Sequence, residues 1–100
     1  MTETQINQTI SANLRKLRTN TFKVKGKKKK ALTQTDVGKY MNCTFQQIQK
    51  YEKGQNVLTG AKLYKLSEFF QIPIGRWFIP IEQFNREITD EAISNVVLDN

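Results

Sequence analysis

LTQTDVGKYMNCTFQQIQKYEKGQN, residues 32–56, contains two signals for the start of a helix. In each of them a threonine that can cap a helix is followed three positions later by a residue that can return the hydrogen bond. The two pairs are Thr33 with Asp36 and Thr44 with Gln47. They predict that one helix begins after Thr33 and that a second begins after Thr44.

Each of these two helices also has a stop signal. Asn42 readily takes a left-handed backbone conformation and would end the first helix, and Gly54 would end the second. The result is two helices of about eight residues joined by a turn of about three, which is the helix-turn-helix layout. Gly38 lies inside the first helix, where glycine costs about 1 kcal/mol relative to alanine. We therefore expect the second helix to pack too closely against it for a side chain.

Helical periodicity continues on both sides of this stretch. Apolar residues at spacings of four and three predict a first helix that begins at Ile6, followed by Ile10, Leu14 and Leu17. A further helix is predicted over residues 60–70, and a short helical turn contains Trp77 and Phe78. No segment alternates in the way a strand does. We therefore expect an all-α domain of five helices over residues 1–80.

The segment FKVKGKKKK, residues 22–30, has six lysines in nine residues. These charges repel one another, and Gly26 interrupts any helix. Two structures fit the segment. It is either an exposed mobile loop over residues 20–31 or the tip of a hairpin with Phe22 and Val24 turned inward.

Charge is distributed unevenly along the chain, whose net charge is +7. Residues 15–62 hold 13 lysines and arginines and only two acids, whereas residues 66–100 hold two arginines and six acids. A basic body favours a polyanion such as nucleic acid as partner. The acidic tail suggests a different role for the last part of the chain.

Several classes of function are disfavoured by composition. Cys43 is the single cysteine and there is no histidine, so an internal disulfide, the usual zinc sites and a thiol–histidine nucleophile are not expected. We expect neither an enzyme nor a cofactor. No run approaches the roughly 18 apolar residues of a membrane span, and the first residues lack a secretory signal. The expectation is a soluble, cytoplasmic protein associated with the nucleoid.

The stretch at residues 32–56 resembles the helix-turn-helix of the lambda-repressor/Cro family, the Xre-type regulators of bacteria and phages. LTQTDVGKYM resembles the second helix of that family and TFQQIQKYEKG its recognition helix. ISANLRKLR and AKLYKLSEFFQIPIGRWF resemble the first helix and the last two. The resemblance covers residues 6–78. It departs from the family in the lysine-rich segment, which lengthens the link between the first two helices, and in the tail after Pro80.

The resemblance implies that the third helix lies in the major groove of DNA with its N-terminal residues against the bases. By position, the implied base contacts are Thr44, Phe45, Gln46, Gln49 and Lys50. Glutamine suits adenine and lysine suits guanine, so Gln46 and Lys50 are expected to contribute most, with Phe45 against thymine methyl groups. Two alternatives stay open: Phe45 could fold into the core, and Gln47 could simply bond to the backbone.

The resemblance also implies contacts to phosphate and one structural ion pair. Gln34 and Asn56 match phosphate-binding positions of the family. Further phosphate contacts are predicted for Thr33, Lys53, Gln55, Lys28, Lys29 and Lys30. Arg18 and Glu52 match an ion pair that ties the first helix to the third.

Residues 81–100 are predicted to form an amphipathic helical tail that serves as a dimerisation element. The predicted dimer interface consists of Trp77, Phe78, Ile88, Ile93 and Val97. Packing of the tail on its own chain is the alternative.

The function that follows is a sequence-specific transcriptional regulator, expected to be a repressor, that binds a double-stranded operator as a homodimer. One alternative is an antitoxin with the same DNA-binding body, whose tail holds a toxin. Another is non-specific binding of nucleic acid through the lysines.

Overall fold

The computed structural model describes residues 1–89 and Ile93, and in these residues it combines helices with a sheet. Four α-helices are α1 (Glu3–Thr19), α2 (Gln34–Met41), α3 (Phe45–Glu52) and α4 (Gly60–Phe70), followed by a 3-10 helix at Ile74–Phe78. The strands are β1 (Thr21–Lys25), β2 (Lys28–Ala31) and β3 (Arg86–Thr89). The prediction of a five-helix, all-α domain is therefore wrong. No helix among the described residues is long and apolar enough to span a membrane.

Helix α1 begins three residues before the predicted position. Thr2 Oγ1 accepts a hydrogen bond from the Gln5 backbone N–H at 3.1 Å, and Gln5 Oε1 accepts one from the Thr2 N–H at 2.9 Å. This reciprocal capping box satisfies two backbone donors that would otherwise need water. The helix is therefore capped ahead of its first apolar residue, Ile6.

The predicted starts and stops of the helix-turn-helix are confirmed. Thr33 and Asp36 form a reciprocal capping box, with N–H to oxygen distances of 3.1 and 2.8 Å. Asn42 ends α2 in the left-handed conformation, with φ 56° and ψ 46°. Thr44 Oγ1 accepts from the Gln47 backbone N–H at 3.2 Å. Within the described part of the chain the Gln47 side chain returns no bond to Thr44, so this second box is half formed.

Gly38 is the contact point between α2 and the turn that leads into α3. A β-carbon at this position would lie 2.7 Å from the backbone oxygen of Cys43. This separation is shorter than any van der Waals contact, and the opposing atom belongs to the backbone. The expected close approach is confirmed, although it comes from the turn before α3 and not from the helix itself.

The lysine-rich segment is a β-hairpin and not a loop. β1 and β2 pair antiparallel, with Phe22 opposite Ala31 and Lys25 opposite Lys28. Gly26 has a φ of +62°, which suits the first central residue of a tight two-residue hairpin turn. Phe22 and Val24 are half-buried. Of the two structures that the sequence left open, the hairpin is the one observed.

β3 joins the other edge of β1 and completes a sheet in the order β2-β1-β3. β1 and β3 run parallel, with Thr21 opposite Arg86 and Lys23 opposite Ile88. The Arg86 backbone N–H donates to the Asn20 carbonyl at 3.1 Å, which sets this register at the end of α1. Residues 81–89 are thus packed on the same core as residues 1–80.

The chain after the 3-10 helix is held to α1 by the buried side chain of Asn13. Its Nδ2 donates to the carbonyl oxygens of Trp77 and Ile79, both at 2.9 Å. Its Oδ1 accepts from the Ile81 backbone N–H at 3.0 Å. One amide therefore pairs three backbone groups at and just after the end of the 3-10 helix, which removes the cost of burying them unpaired.

The predicted tail and dimer interface need correction. Residues 86–89 are a strand and not part of a helix, because they pair with β1. Trp77, Ile88 and Ile93 are 0%, 7% and 5% exposed, so they belong to the chain's own core and a second copy cannot reach them. Phe78 is 41% exposed. The remaining predicted interface residue, Val97, lies outside the described residues.

Candidate nucleic-acid interface

One face of α3 and its cap is polar and open to solvent. The five residues predicted to contact bases are all exposed, and they define what we call the recognition face: Thr44, Phe45, Gln46, Gln49 and Lys50. The opposite side of the helix is formed by Ile48 and Tyr51, which are 0% and 4% exposed. Residues three and four apart share a helix face, so the buried pair directs the recognition face outward.

The sequence left two interpretations open for Phe45 and two for Gln47, and the surroundings of each side chain distinguish between them. Phe45 is 47% exposed, so its ring is not folded into the core. Gln47 is half-buried and its backbone N–H donates to Thr44 Oγ1, but its side chain makes no hydrogen bond to the backbone among the described residues. The helix therefore presents one aromatic side chain at its N-terminal end beside the polar groups of Gln46 and Gln49.

Helix α3 is fixed to α1 by an ion pair between Arg18 and Glu52. Arg18 Nε donates to Glu52 Oε2 at 2.6 Å, and Arg18 Nη2 donates to Glu52 Oε1 at 3.0 Å. Arg18 Nη1 also donates to the Leu32 carbonyl at 3.0 Å, just before α2. Such a planar, two-pronged geometry is the strongest form of a carboxylate–guanidinium pair. It sets the position of α3 relative to both preceding helices.

Gln34, predicted to contact phosphate, belongs to the same cluster. Its Nε2 donates to Glu52 Oε1 at 3.2 Å, and its side chain is half-buried. A phosphate could take up the remaining amide hydrogen. The neighbouring Thr33 is exposed at the start of α2, where the helix dipole favours an anion.

The loop after α3 places three predicted phosphate contacts on the surface. Lys53, Gln55 and Asn56 are exposed. Gly54 has a φ of +74°, and the backbone N–H groups of Gln55 and Asn56 donate to the Lys50 carbonyl at 2.9 and 3.4 Å. The backbone bonds are thus used to end the helix, and the side chains project from a defined turn.

A second link holds α3 to α4 from the other side. Lys62 Nζ donates to the Tyr51 hydroxyl at 2.7 Å and lies 5.4 Å from the centroid of its ring. This hydrogen bond raises the pKa of Lys62. Since Tyr51 is buried, the contact gives its hydroxyl a partner at the domain surface.

The hairpin is joined to the start of α2 by Lys23 and Asp36. Lys23 Nζ lies 2.9 Å from each carboxylate oxygen of Asp36. Burial alone would raise the pKa of Asp36, but hydrogen bonds from the Thr33 backbone and from Lys23 outweigh it, so the pKa is lowered. This pair was not predicted from the sequence. The alternation in FKVK could have indicated the strand that carries Lys23, because alternate residues of a strand share one face, but it does not indicate Asp36 as the partner.

The three hairpin lysines predicted to contact phosphate differ in their surroundings. All are exposed. Lys29 Nζ lies 2.6 Å from Glu87 Oε1 and 4.9 Å from the centroid of the Phe22 ring. Lys28 and Lys30 have no acceptor among the described residues. The structure therefore leaves two of the three available to an external anion.

Comparison with known proteins gives a consistent family. A family model described as helix-turn-helix matches residues 26–77. A protein of Sinorhizobium medicae named as an HTH-type transcriptional regulator is 38% identical over 47 residues, which are 47% of this chain and 34% of the relative. A protein of Rhodospirillum rubrum named as a transcriptional regulator in the ATPase CF(0) region is 35% identical over 52 residues, which are 52% of this chain and 48% of the relative.

The matches to these two relatives cover about half of this chain. The chain spans about a third to a half of the length of the relatives it matches. No solved structure matches it. The family match covers more than half of the chain and includes α2, α3 and α4. The chain therefore belongs to the helix-turn-helix family of the lambda-repressor, or Xre, type.

Proposed function

We propose that this protein regulates transcription by binding double-stranded DNA with sequence specificity. The observation that carries the proposal is the recognition face of α3, which is exposed along its length while the other side of the helix is buried. An α-helix fits the major groove, where each base pair presents its own pattern of donors and acceptors. The proposed activity is binding and not catalysis.

The side chains of the recognition face suit this task. Gln46 and Gln49 each carry an amide that can donate and accept, which matches the N6 and N7 edge of adenine. Lys50 can donate to guanine O6 or N7, and the exposed ring of Phe45 can pack on a thymine methyl group. Each well-formed bidentate pair contributes about 1–3 kcal/mol of discrimination between bases.

Contacts to phosphate would set the register of the helix in the groove. The proposed groups are Thr33 and Gln34 at the start of α2 and Lys53, Gln55 and Asn56 after α3. These two sets flank the recognition face along the chain. Because Arg18 and Glu52 fix α3 relative to α2, the base-contacting and phosphate-contacting groups are held at a constant spacing.

We further propose that the protein acts as a homodimeric repressor. One helix-turn-helix reads half of a site, and two-fold dimers usually read half-sites one helical turn apart. Two apolar residues close to Phe78 in the sequence are also exposed: Ile74 is 42% exposed and Ile79 is 50% exposed. These three residues are the proposed contact between copies. A dimer bound at an operator would hinder polymerase simply by occupying the site.

A Phe78→Ser, Ile79→Ser double variant tests this contact by sedimentation at several concentrations. We expect its mass to shift toward that of the monomer while the wild type forms a dimer. A wild type that stays monomeric with and without its operator would contradict the homodimer. An unchanged dimer in the variant would place the contact elsewhere.

The alternative function, an antitoxin, assigned a toxin to the tail at residues 81–100. Ile81 and Ile88 are buried in the chain's own core, so this part of the tail does not offer a free apolar surface. No observation on the described residues favours a toxin as partner. The DNA-binding regulator is therefore the function we propose.

The decisive experiment is selection of bound duplexes from a random pool at physiological salt. We expect enrichment of one motif with two inverted half-sites whose centres are about 10–10.5 base pairs apart. A pool that returns without a motif would overturn the proposal. In that case binding would depend on charge alone. Such binding is indifferent to sequence and weakens steeply as the salt concentration rises.

A further inference from the structure

The register of the hairpin sorts its lysines by face. Residues directly opposite each other in a sheet point to the same side, as do alternate residues of one strand. Lys23 is opposite Lys30, and Lys25 is opposite Lys28. These four side chains therefore share one face of the sheet, and we call them the lysine strip: Lys23, Lys25, Lys28 and Lys30.

The other face of the hairpin has a different character. It carries Phe22, Val24 and Lys29, with Glu87 beside them on β3. Lys29 lies over the Phe22 ring and is paired with Glu87 at 2.6 Å. The charge of this lysine is thus largely compensated within the protein. Apolar side chains and an ion pair make up this face of the hairpin, whereas Lys25, Lys28 and Lys30 on the opposite face have no acceptor among the described residues.

The strip begins at the start of α2. Lys23 is bound to Asp36 in the first turn of that helix, next to the proposed phosphate contacts of Thr33 and Gln34. Strand residues two apart are about 7 Å apart along the strand. Lys25 and Lys28 therefore extend the strip by about that distance beyond Lys23 and Lys30, toward the tip of the hairpin.

Three members of the strip are available to an external anion. Lys25, Lys28 and Lys30 are exposed and have no acceptor among residues 1–89 and Ile93. Their backbone differs from that of a basic tail, because all three lysines lie in the paired strands β1 and β2. Lysines on a paired strand lose less conformational freedom on binding than lysines on a disordered arm.

We propose that the lysine strip is a second DNA contact, which binds the phosphate backbone of the same duplex next to the phosphates at the start of α2. Lys25, Lys28 and Lys30 are the contacting residues, and Lys23 positions the hairpin through Asp36. Lys29 is not a contact. The inference rests on the proposed function, since it takes α2 and α3 to lie against the duplex. Ammonium groups bind phosphate as point charges without reading bases, so the strip adds affinity and not specificity.

The test is a salt titration of binding to the selected duplex. Each phosphate contact contributes about 0.9 to the slope of log K against log salt concentration. We expect a Lys25→Gln, Lys28→Gln, Lys30→Gln variant to have a slope shallower by about 2.7, with an unchanged preferred sequence. An unchanged slope, or an altered base preference, would overturn the proposal. Thermal unfolding of the variant, expected to match the wild type, verifies that the hairpin is intact.

Neighbouring lysines on opposite faces supply a matched control. Lys28→Gln and Lys29→Gln each remove one charge from adjacent positions of β2. We expect the first to flatten the slope by about 0.9 and the second to leave it unchanged. Equal effects would show that total charge matters and not the face, and would refute the strip.

Failure of the strip is distinguishable from failure of the proposed function. If the wild type selects no motif, sequence-specific reading fails, and the same titrations are made on a duplex of random sequence. The triple variant should flatten the slope there as well, because phosphates are present in every duplex. If the wild type selects a motif and the triple variant keeps the full slope, only the strip is refuted.

Discussion

Arg18 and Glu52 form a two-pronged ion pair, with the Nε–Oε2 distance at 2.6 Å and the Nη2–Oε1 distance at 3.0 Å. Their side chains are only 14% and 4% exposed. The carboxylate also accepts from Gln34, and the guanidinium donates to the Leu32 carbonyl. One pair of charges therefore joins α1, the start of α2 and α3. Removing one partner of a pair shielded to this degree is costly, because the remaining charge is left unpaired.

Glu52→Gln should lower the free energy of unfolding by about 2–3 kcal/mol. This is below the roughly 3–5 kcal/mol typical of fully buried pairs, because the guanidinium keeps some contact with water. Urea denaturation at neutral pH measures the change.

A double variant, Arg18→Met with Glu52→Gln, is the control for this prediction. Removing both charges leaves neither one unpaired, so we expect the double variant to lose less than the two single variants together. Strictly additive losses would mean that the two residues contribute independently, contrary to the observed geometry.

Gly38→Ala should destabilise the helix-turn-helix by about 1–3 kcal/mol, in the range of other overpacked sites. The new β-carbon would lie 2.7 Å from the Cys43 backbone oxygen, so the turn before α3 must move. Thermal or urea unfolding measures the loss, and affinity for the selected duplex should fall as well.

Gly60→Ala is the matched control, because a β-carbon there meets nothing within 4 Å. Gly60 is the first residue of α4, where alanine is compatible with the helix. We expect its stability to equal or slightly exceed that of the wild type. A Gly38→Ala protein as stable as Gly60→Ala would contradict the close approach.

Asp36 makes stability depend on pH in the acid range. Its pKa in the folded protein is lowered from the ordinary value of 3.8, so the unfolded chain takes up this proton at a higher pH than the folded one. The contribution of Asp36 is therefore fully present above pH 3.8 and is lost as the pH falls through the lower, folded-state value. Unfolding free energies measured between about pH 2 and pH 6 should fall less steeply with acid in Asp36→Asn than in the wild type. Parallel curves for the two proteins would refute this assignment.

The helix-turn-helix could be predicted from sequence because its boundaries are set by local signals. The cap at Thr33, the left-handed Asn42 and the cap at Thr44 each act within four residues of the backbone groups they satisfy. The close approach at Gly38 could also be predicted locally, because glycine is unfavourable inside a helix. The start of α1 was missed, although Thr2 and Gln5 have the same spacing as the later capping boxes.

The sheet could not be predicted from the same kind of signal. β3 pairs with β1 across more than 60 residues, and nothing near Arg86 indicates a parallel partner at Thr21. The lysines of the hairpin suggested repulsion, and the register does place four of them on one face, but Asp36 and Glu87 compensate two of the hairpin lysines. Asn13 is polar and lies among apolar positions of α1, and its role in holding residues 77–81 depends on tertiary contacts.

The central claim is that the recognition face of α3 reads bases, and Gln46→Ala tests it most directly. The Gln46 side chain is exposed and has no hydrogen bond or ion pair among the described residues, so the variant should fold as the wild type does. Binding of both proteins is measured on the selected duplex and on every single-base variant of one half-site. We predict that discrimination falls by about 1–3 kcal/mol at one base position, with the salt slope unchanged. Identical base preferences for the two proteins would contradict this account.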